Sequence, residues 1–177
     1  MKYIETNIFR TTYGDLLIGS FENNLCICDW YYRKLRTQID NRIKTALNAE
    51  YIENESSIIN ETKKQLKEYF QAERKNFDIP LLLIGTDFQI KVWETLQKIN
   101  YGETSSYLKL SALIGNTKAI RAVASANGAN AISIIIPCHR IIGSNGNLTG
   151  YAGGLNTKKK LLELEQKENN KQLSMNL

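Results

Sequence analysis

The chain has 177 residues, 42% of them hydrophobic and 23% charged, and a formal net charge of +5. That is enough apolar material for one ordinary domain or two small ones, and no run of about 18 apolar residues offers a membrane span. Met1-Lys2-Tyr3-Ile4-Glu5 places charge too early for a secretory signal, so a cytoplasmic protein is expected. Three cysteines, Cys26, Cys28 and Cys138, form no extracellular disulfide framework. One histidine, His139, and the lack of a CxxC pair argue against zinc, so neither metal nor cofactor is expected. Residues 1–85 carry 12 basic and 12 acidic side chains, whereas residues 86–177 carry 11 and 6. An electrostatic footprint for a polyanion therefore belongs to the second half.

In chain order, Tyr3–Phe9, Leu16–Ser20 and Leu25–Trp30 read as strands separated by Tyr13-Gly14-Asp15 and Glu22-Asn23-Asn24, which suit turns. They predict a small antiparallel sheet. Cys26 and Cys28 alternate on the third strand and are expected on one side of it, as small core residues. Leu35, Ile39, Ile43 and Leu47 repeat at fours and predict a helix. A second is predicted over 57–74, its inner face Ile58, Ile59, Leu66, Tyr69 and Phe70. Asn76–Gly85, which contains Pro80, reads as the connection between two parts, residues 1–85 and 86–177.

From Asp87 the texture changes to short helices. Phe88, Val92 and Leu96 mark one that ends near Tyr101-Gly102. Tyr107–Ile114 is the next, with Leu110, Leu113 and Ile114 inward and Gly115 at the left-handed stop. Asn116 caps a third, over 118–127, and Gly128 ends it. Two short helices joined by a Gly-Asn turn form a helix-turn-helix pattern, which also occurs in domains that never touch DNA. Ala119, Ala122 and Ala126 make one side of the third helix small, with Arg121 rising among them. Such a face suits the narrow minor groove, though helix propensity alone also favours alanine.

Ser133–Ile136 reads as extended backbone leading into Pro137-Cys138-His139-Arg140. Proline stiffens the approach, so the thiol is presented from a fixed backbone. A thiol attacks as its thiolate, and a free pKa of about 8.5 leaves only a few per cent ionised at neutral pH. An adjacent imidazole can take that proton.

Ile136-Pro137-Cys138-His139-Arg140 resembles the active-site motif of the O6-alkylguanine-DNA alkyltransferase family. Asn127-Gly128-Ala129-Asn130 is similar to its Asn-bearing hinge and Arg121-Ala122-Val123 to its recognition helix. Gly150-Tyr151-Ala152-Gly153-Gly154 and Lys158–Glu165 are similar to its substrate loop and closing helix. The resemblance spans 88–165 and implies an α+β protein. A ribonuclease-H-like sheet with helices would precede a helical, winged-helix-like domain carrying the helix-turn-helix.

It also implies roles. Cys138 would accept the alkyl group from O6-alkylguanine in DNA, with O4-alkylthymine a second candidate substrate. His139 would be its base and Glu165 would hold the imidazole. Tyr107 would donate a proton to the departing guanine, and Asn130 would tie the helix pair to the active-site segment. Tyr151, Ala152 and Gly153 would shape the base pocket. Arg121 would fill the space of a nucleotide flipped out of the duplex, beside Ala119 and Ala122. Lys109, Lys118 and Arg140 would meet phosphates. The partner would be double-stranded DNA, bound through its minor groove by a monomer without membrane association. The alternative is a non-catalytic helix-turn-helix or lesion-sensing DNA binder, for which the thiol would have no use.

Overall fold

The computed structural model describes the backbone of residues 1–175 and the side chains of residues 1–167. Glu22 and Asn23 both take positive φ, 47° and 62°. That pair is what a tight two-residue hairpin requires, so β2 (Leu16–Phe21) folds straight back as β3 (Asn24–Trp30). β1 (Lys2–Phe9) pairs antiparallel with β2, from Glu5↔Ser20 to Phe9↔Leu16. A fourth strand corrects the expected antiparallel sheet to a mixed one. The left-handed Asn48 (φ 47°) stops α1 (Arg36–Leu47), and β4 (Ala49–Glu53) then pairs parallel with β1. The order is β3-β2-β1-β4. Of β4 only Ala49 is buried, so it carries almost no apolar pattern to read.

Both faces of the sheet are covered. Leu17 and Phe21 pack with Ile39 and Ile43 of α1, while Leu16 and Ile18 face a second core built with α2 (Ser57–Phe70) and the C-terminal half. Cys26 and Cys28, expected on one side, lie on opposite sides. The register runs Gly19↔Ile27 and then Ser20↔Leu25, so Cys26 is the extra residue of a β-bulge. It joins the α1 side and Cys28 the other. Burial pushes the Cys26 thiol up to about 12 and raises that of Cys28 too, which leaves both as un-ionised packing groups.

α2 is capped by Ser56, whose hydroxyl accepts from Ile59 N at 3.2 Å. It stops at Phe70, four residues short of the predicted end, where Ala72 turns left-handed (φ 61°). The connection then runs along the free edge of β3. Leu25 N donates to Pro80 O at 2.8 Å, and Leu82 N to Leu25 O at 2.9 Å. Further along that edge Cys28 N donates to Ala131 O at 2.9 Å, and Ser133 N to Cys28 O at 2.7 Å. An edge that would otherwise expose unpaired groups thus anchors the segment leading to Cys138.

A Thr86–Gln89 capping box opens α3 (Asp87–Leu96), which ends before the predicted Tyr101. α4 (Tyr107–Ile114) stops at Gly115 (φ 90°); a 3₁₀ turn over Thr117–Ala119, capped by Asn116, leads into α5 (Ile120–Gly128). Gly128 is the last helical residue and not the terminator. The inner face of α4 is narrower than expected: Leu110 and Ile114 are buried but Leu113 faces solvent. Trp93 Nε1 donates to Ala126 O at 2.8 Å and locks α3 against α5, so Ala126 is core and not part of the small outer face. β5 (Ser105–Ser106) pairs parallel with β6 (Ile141–Ile142), and α6 (Leu155–Met175) closes the fold. One apolar cluster runs through both halves, from Leu16 and Tyr69 to Val123, Ile136 and Leu161. No helix among the described residues is long and apolar enough to cross a membrane.

Candidate active site

The approach to Cys138 is a tight turn, where the sequence suggests an extended run. Ile134 takes φ 71°, which is costly for a β-branched residue, and Ile136 N donates back to Ile132 O at 3.0 Å. Asn130 organises the turn. Its Oδ1 accepts from Ile132 N at 2.9 Å, and its amide nitrogen donates to Ile136 O at 3.0 Å and to Cys138 Sγ at 3.2 Å. Pro137 then leads into a 3₁₀ turn over Cys138–Arg140.

Cys138 is 3% exposed and sits on the wall of a cleft of about 760 Å³. Burial raises its pKa, with the Asn130 hydrogen bond pulling the other way. The resting group is therefore a thiol, and ionisation needs a base. His139 is buried beside it, with Nε2 2.8 Å from Glu165 Oε1 and Nδ1 without a hydrogen-bond partner among the described residues. Burial lowers the imidazole pKa more than Glu165 raises it, so the ring is neutral at pH 7. Opposite a carboxylate the proton belongs on Nε2, which assigns the lone pair to Nδ1.

Glu165 is fully buried on α6 and accepts five hydrogen bonds. Oε1 receives Tyr69 Oη at 2.8 Å, His139 Nε2 at 2.8 Å and Arg140 Nη2 at 3.0 Å. Oε2 receives Arg140 Nε at 2.9 Å and Gly102 N at 3.0 Å. Burial pushes this carboxyl up, but the hydrogen bonds from His139 and Arg140, with the guanidinium charge, outweigh it and hold it well below the usual carboxylate range. Arg140, expected at the surface meeting phosphate, is instead 6% exposed. It is held inside because an ionised Glu165 in the core needs a charged partner, and its guanidinium also donates to Ile99 O at 2.6 Å.

Tyr107 opens α4 and lines the cleft; burial raises its pKa, so the phenol keeps its proton. Tyr151, Ala152 and Gly153 line the cleft as well. Tyr151 lies edge-on to His139, with ring centroids 6.4 Å apart, and its hydroxyl accepts from Trp30 Nε1 at 3.0 Å. Arg121, Ala122, Lys118 and Lys109 are exposed and Ala119 is half-buried, all outside the cleft. Arg121, Ala124 and Gly128 are spaced at three and four along α5, and the last two line the cleft. The arginine therefore stands on the helical stripe that leads into it.

Several residues of this site carry no sequence signal. Tyr69 reads as a core side chain of α2, and nothing links Trp30 to the cleft. Arg33, 7% exposed, donates to Asp29 at 2.8 Å, to Asn130 O at 2.9 Å and to Gly128 O at 2.6 Å, which joins the sheet to the Asn130 hinge. Lys158 is fully buried and donates to Ile141 O and Thr149 O, fastening the loop beyond Cys138 to α6. In a run of three lysines nothing marks the first as the inward one.

Residues 87–167 match the family model described as 6-O-methylguanine DNA methyltransferase, DNA binding domain, and residues 6–83 match that of its ribonuclease-like domain. The chain is similar to the methylated-DNA–protein-cysteine methyltransferase of Methanosarcina acetivorans, 42% identical over 158 residues, covering 89% of this chain and 96% of the relative. It is 48% identical over 158 residues to the constitutive methylated-DNA–protein-cysteine methyltransferase of Bacillus subtilis, covering 86% of this chain and 88% of that one. Among solved structures, the O6-methylguanine methyltransferase of Mycobacterium tuberculosis superposes with a TM-score of 0.78 at 36% identity, covering 93% of each chain. The OGT of the same organism in complex with DNA gives 0.78 at 38% identity, again covering 93% of each.

Proposed function

The chain belongs to the 6-O-methylguanine DNA methyltransferase family, and we propose that it repairs DNA by moving the alkyl group of O6-alkylguanine onto Cys138. The observation that carries this reading is the Cys138 thiol on the cleft wall, followed in the chain by a neutral His139 whose Nε2 is held by Glu165. The name and DNA complex of the relatives supply the substrate class.

The proposed reaction starts with the thiol proton passing to the Nδ1 side of His139. Glu165 stabilises the imidazolium that forms. Sulfur then attacks the alkyl carbon, a C–S bond forms, and the C–O6 bond breaks with its electron pair going to the purine. The Tyr107 phenol protonates the purine, since neutral guanine leaves more readily than its anion, and the phenolate regains a proton as the His139 imidazolium gives one up. The product is a thioether. It has no easy leaving reaction, so each molecule acts once.

Attack in line with the O6 substituent cannot reach a stacked base, so the nucleotide must leave the duplex. Unstacking costs a few kcal/mol, and less for a poorly paired lesion. In this proposal α4 and α5 act as a helix-turn-helix on the minor groove, and Arg121 enters the vacated place. Lys109 and Lys118 add sequence-independent phosphate affinity. The protein would act as a cytoplasmic monomer.

The test is a peptide map after mixing the reduced protein with duplex containing O6-methylguanine. One added CH₂ on the Cys138 peptide is expected, and Cys138→Ala should bind the lesion without accepting it. A folded, reduced protein that leaves Cys138 unmodified refutes the reading.

A further inference from the structure

Trp30 ends β3, 121 residues from Tyr151, yet its indole is built into the cleft wall. It is 4% exposed, and its Nε1 donates to the Tyr151 hydroxyl at 3.0 Å with the two rings edge-on, 6.1 Å apart. Two glycines lie against the indole. A Cβ at Gly153 would come within 2.7 Å of ring atoms Cε2 and Nε1, and one at Gly14 within 3.3 Å of Cε3 and Cζ3. The loop carrying Tyr151 therefore rests on the indole, at a distance only glycine permits. Beyond Tyr151 stands His139, edge-on at 6.4 Å. Thr157 Oγ1 donates to Tyr13 O at 3.2 Å and fastens the turn beside Gly14 to α6.

We propose that Trp30 is a positioning residue that fixes the Tyr151–Gly153 wall of the cleft and so limits the size of the alkyl group Cys138 can accept. The inference rests on the alkyl-transfer reading above. A wall backed by another loop could retreat before a bulky adduct. This one is backed by an indole anchored at the end of a sheet strand, so it yields only if the indole does. The N-terminal half thereby acts on the reaction without contributing a reacting group.

The test is a double-mutant cycle read by single-turnover transfer from duplex carrying O6-methylguanine or O6-benzylguanine. Gly153→Ala should slow methyl transfer about tenfold in the native background and less than about threefold in Trp30→Leu, because the added methyl then has room; contacting residues show coupling of this size. Trp30→Leu alone should raise the benzyl-to-methyl rate ratio at least about fivefold, a shift that general destabilisation would not produce. Trp30→Phe keeps a flat ring under Gly153 and should hold the ratio within about twofold of the starting protein. Equal Gly153→Ala losses in both backgrounds overturn the inference, and so does slowing that is uniform across the two alkyl groups. A native protein that leaves Cys138 unmethylated fails the transfer reading itself. Methylation without coupling fails only the role of Trp30.

Discussion

Replacing Glu165 by glutamine keeps the size of the side chain and removes its charge, which isolates what the carboxylate does. The amide oxygen can take the place of Oε1 and still accept from Tyr69, His139 and Arg140 Nη2. Its NH₂ group then faces two more donors, Arg140 Nε and Gly102 N, and neither can be satisfied. Arg140, with its side chain 7% exposed, is also left as a buried cation without its anion. Breaking a buried pair in this way costs about 3–5 kcal/mol. A chain of this size loses about 2–4 °C of melting temperature per kcal/mol, so Glu165→Gln should melt roughly 6–20 °C lower. Tyr69→Phe removes one hydrogen bond to the same carboxylate and should cost about 1.5–3 kcal/mol. The assay is urea unfolding followed by far-UV circular dichroism, with methyl transfer measured well below the midpoint. Transfer should slow even where Glu165→Gln is fully folded, since the imidazolium loses its anion. A stability change under about 1 kcal/mol would refute the account of this carboxylate.

Three further outcomes follow from the same geometry. The His139 imidazole titrates below its ordinary 6.5 when folded, so the unfolded chain takes up a proton first as pH falls. Stability should hold above pH 6.5 and decline below it, with a second loss from Glu165 below about pH 4.3, its usual unfolded value. A melting temperature flat from pH 7.5 to 5 would contradict this. Transfer should likewise persist down to pH 6.5 and fall off only once the folded imidazole charges. Arg121→Ala, at an exposed site, should alter stability by less than about 0.5 kcal/mol. It should slow repair of duplex far more than transfer from free O6-benzylguanine, and equal slowing of both would remove its role in base extrusion. Lys109→Ala with Lys118→Ala should flatten the log–log salt dependence of duplex binding by about 0.9 for each phosphate no longer neutralised; an unchanged slope places the DNA elsewhere.

Much of the architecture was legible because apolar periodicity and turn chemistry are local. The hairpin of β2 and β3, the span of α4 and its stop at Gly115 each follow from residues within a few positions of one another. So does the chemistry of a cysteine between proline and histidine. β4 was not legible, because an edge strand with one buried residue has no stripe. The opposite facing of Cys26 and Cys28 was hidden as well, since a bulge depends on the partner strand. The left-handed Ile134 breaks the rule for its residue type and is held by Asn130 and the edge of β3.

By itself the sequence determined which groups carry reactive chemistry and where the helices and most of the strands run. Tertiary structure decided which of those groups meet. Glu165 collects donors 96, 63 and 26 residues away, from Tyr69, Gly102 and His139. That collection turns Arg140 inward, away from the surface where its charge would suggest it belongs. Trp30 likewise reaches the cleft only because β3 ends beneath the loop carrying Tyr151. The physical reason is one of range: helix and strand patterns report which face is apolar, while a buried charge or a pocket wall is defined by partners that only the complete fold brings together.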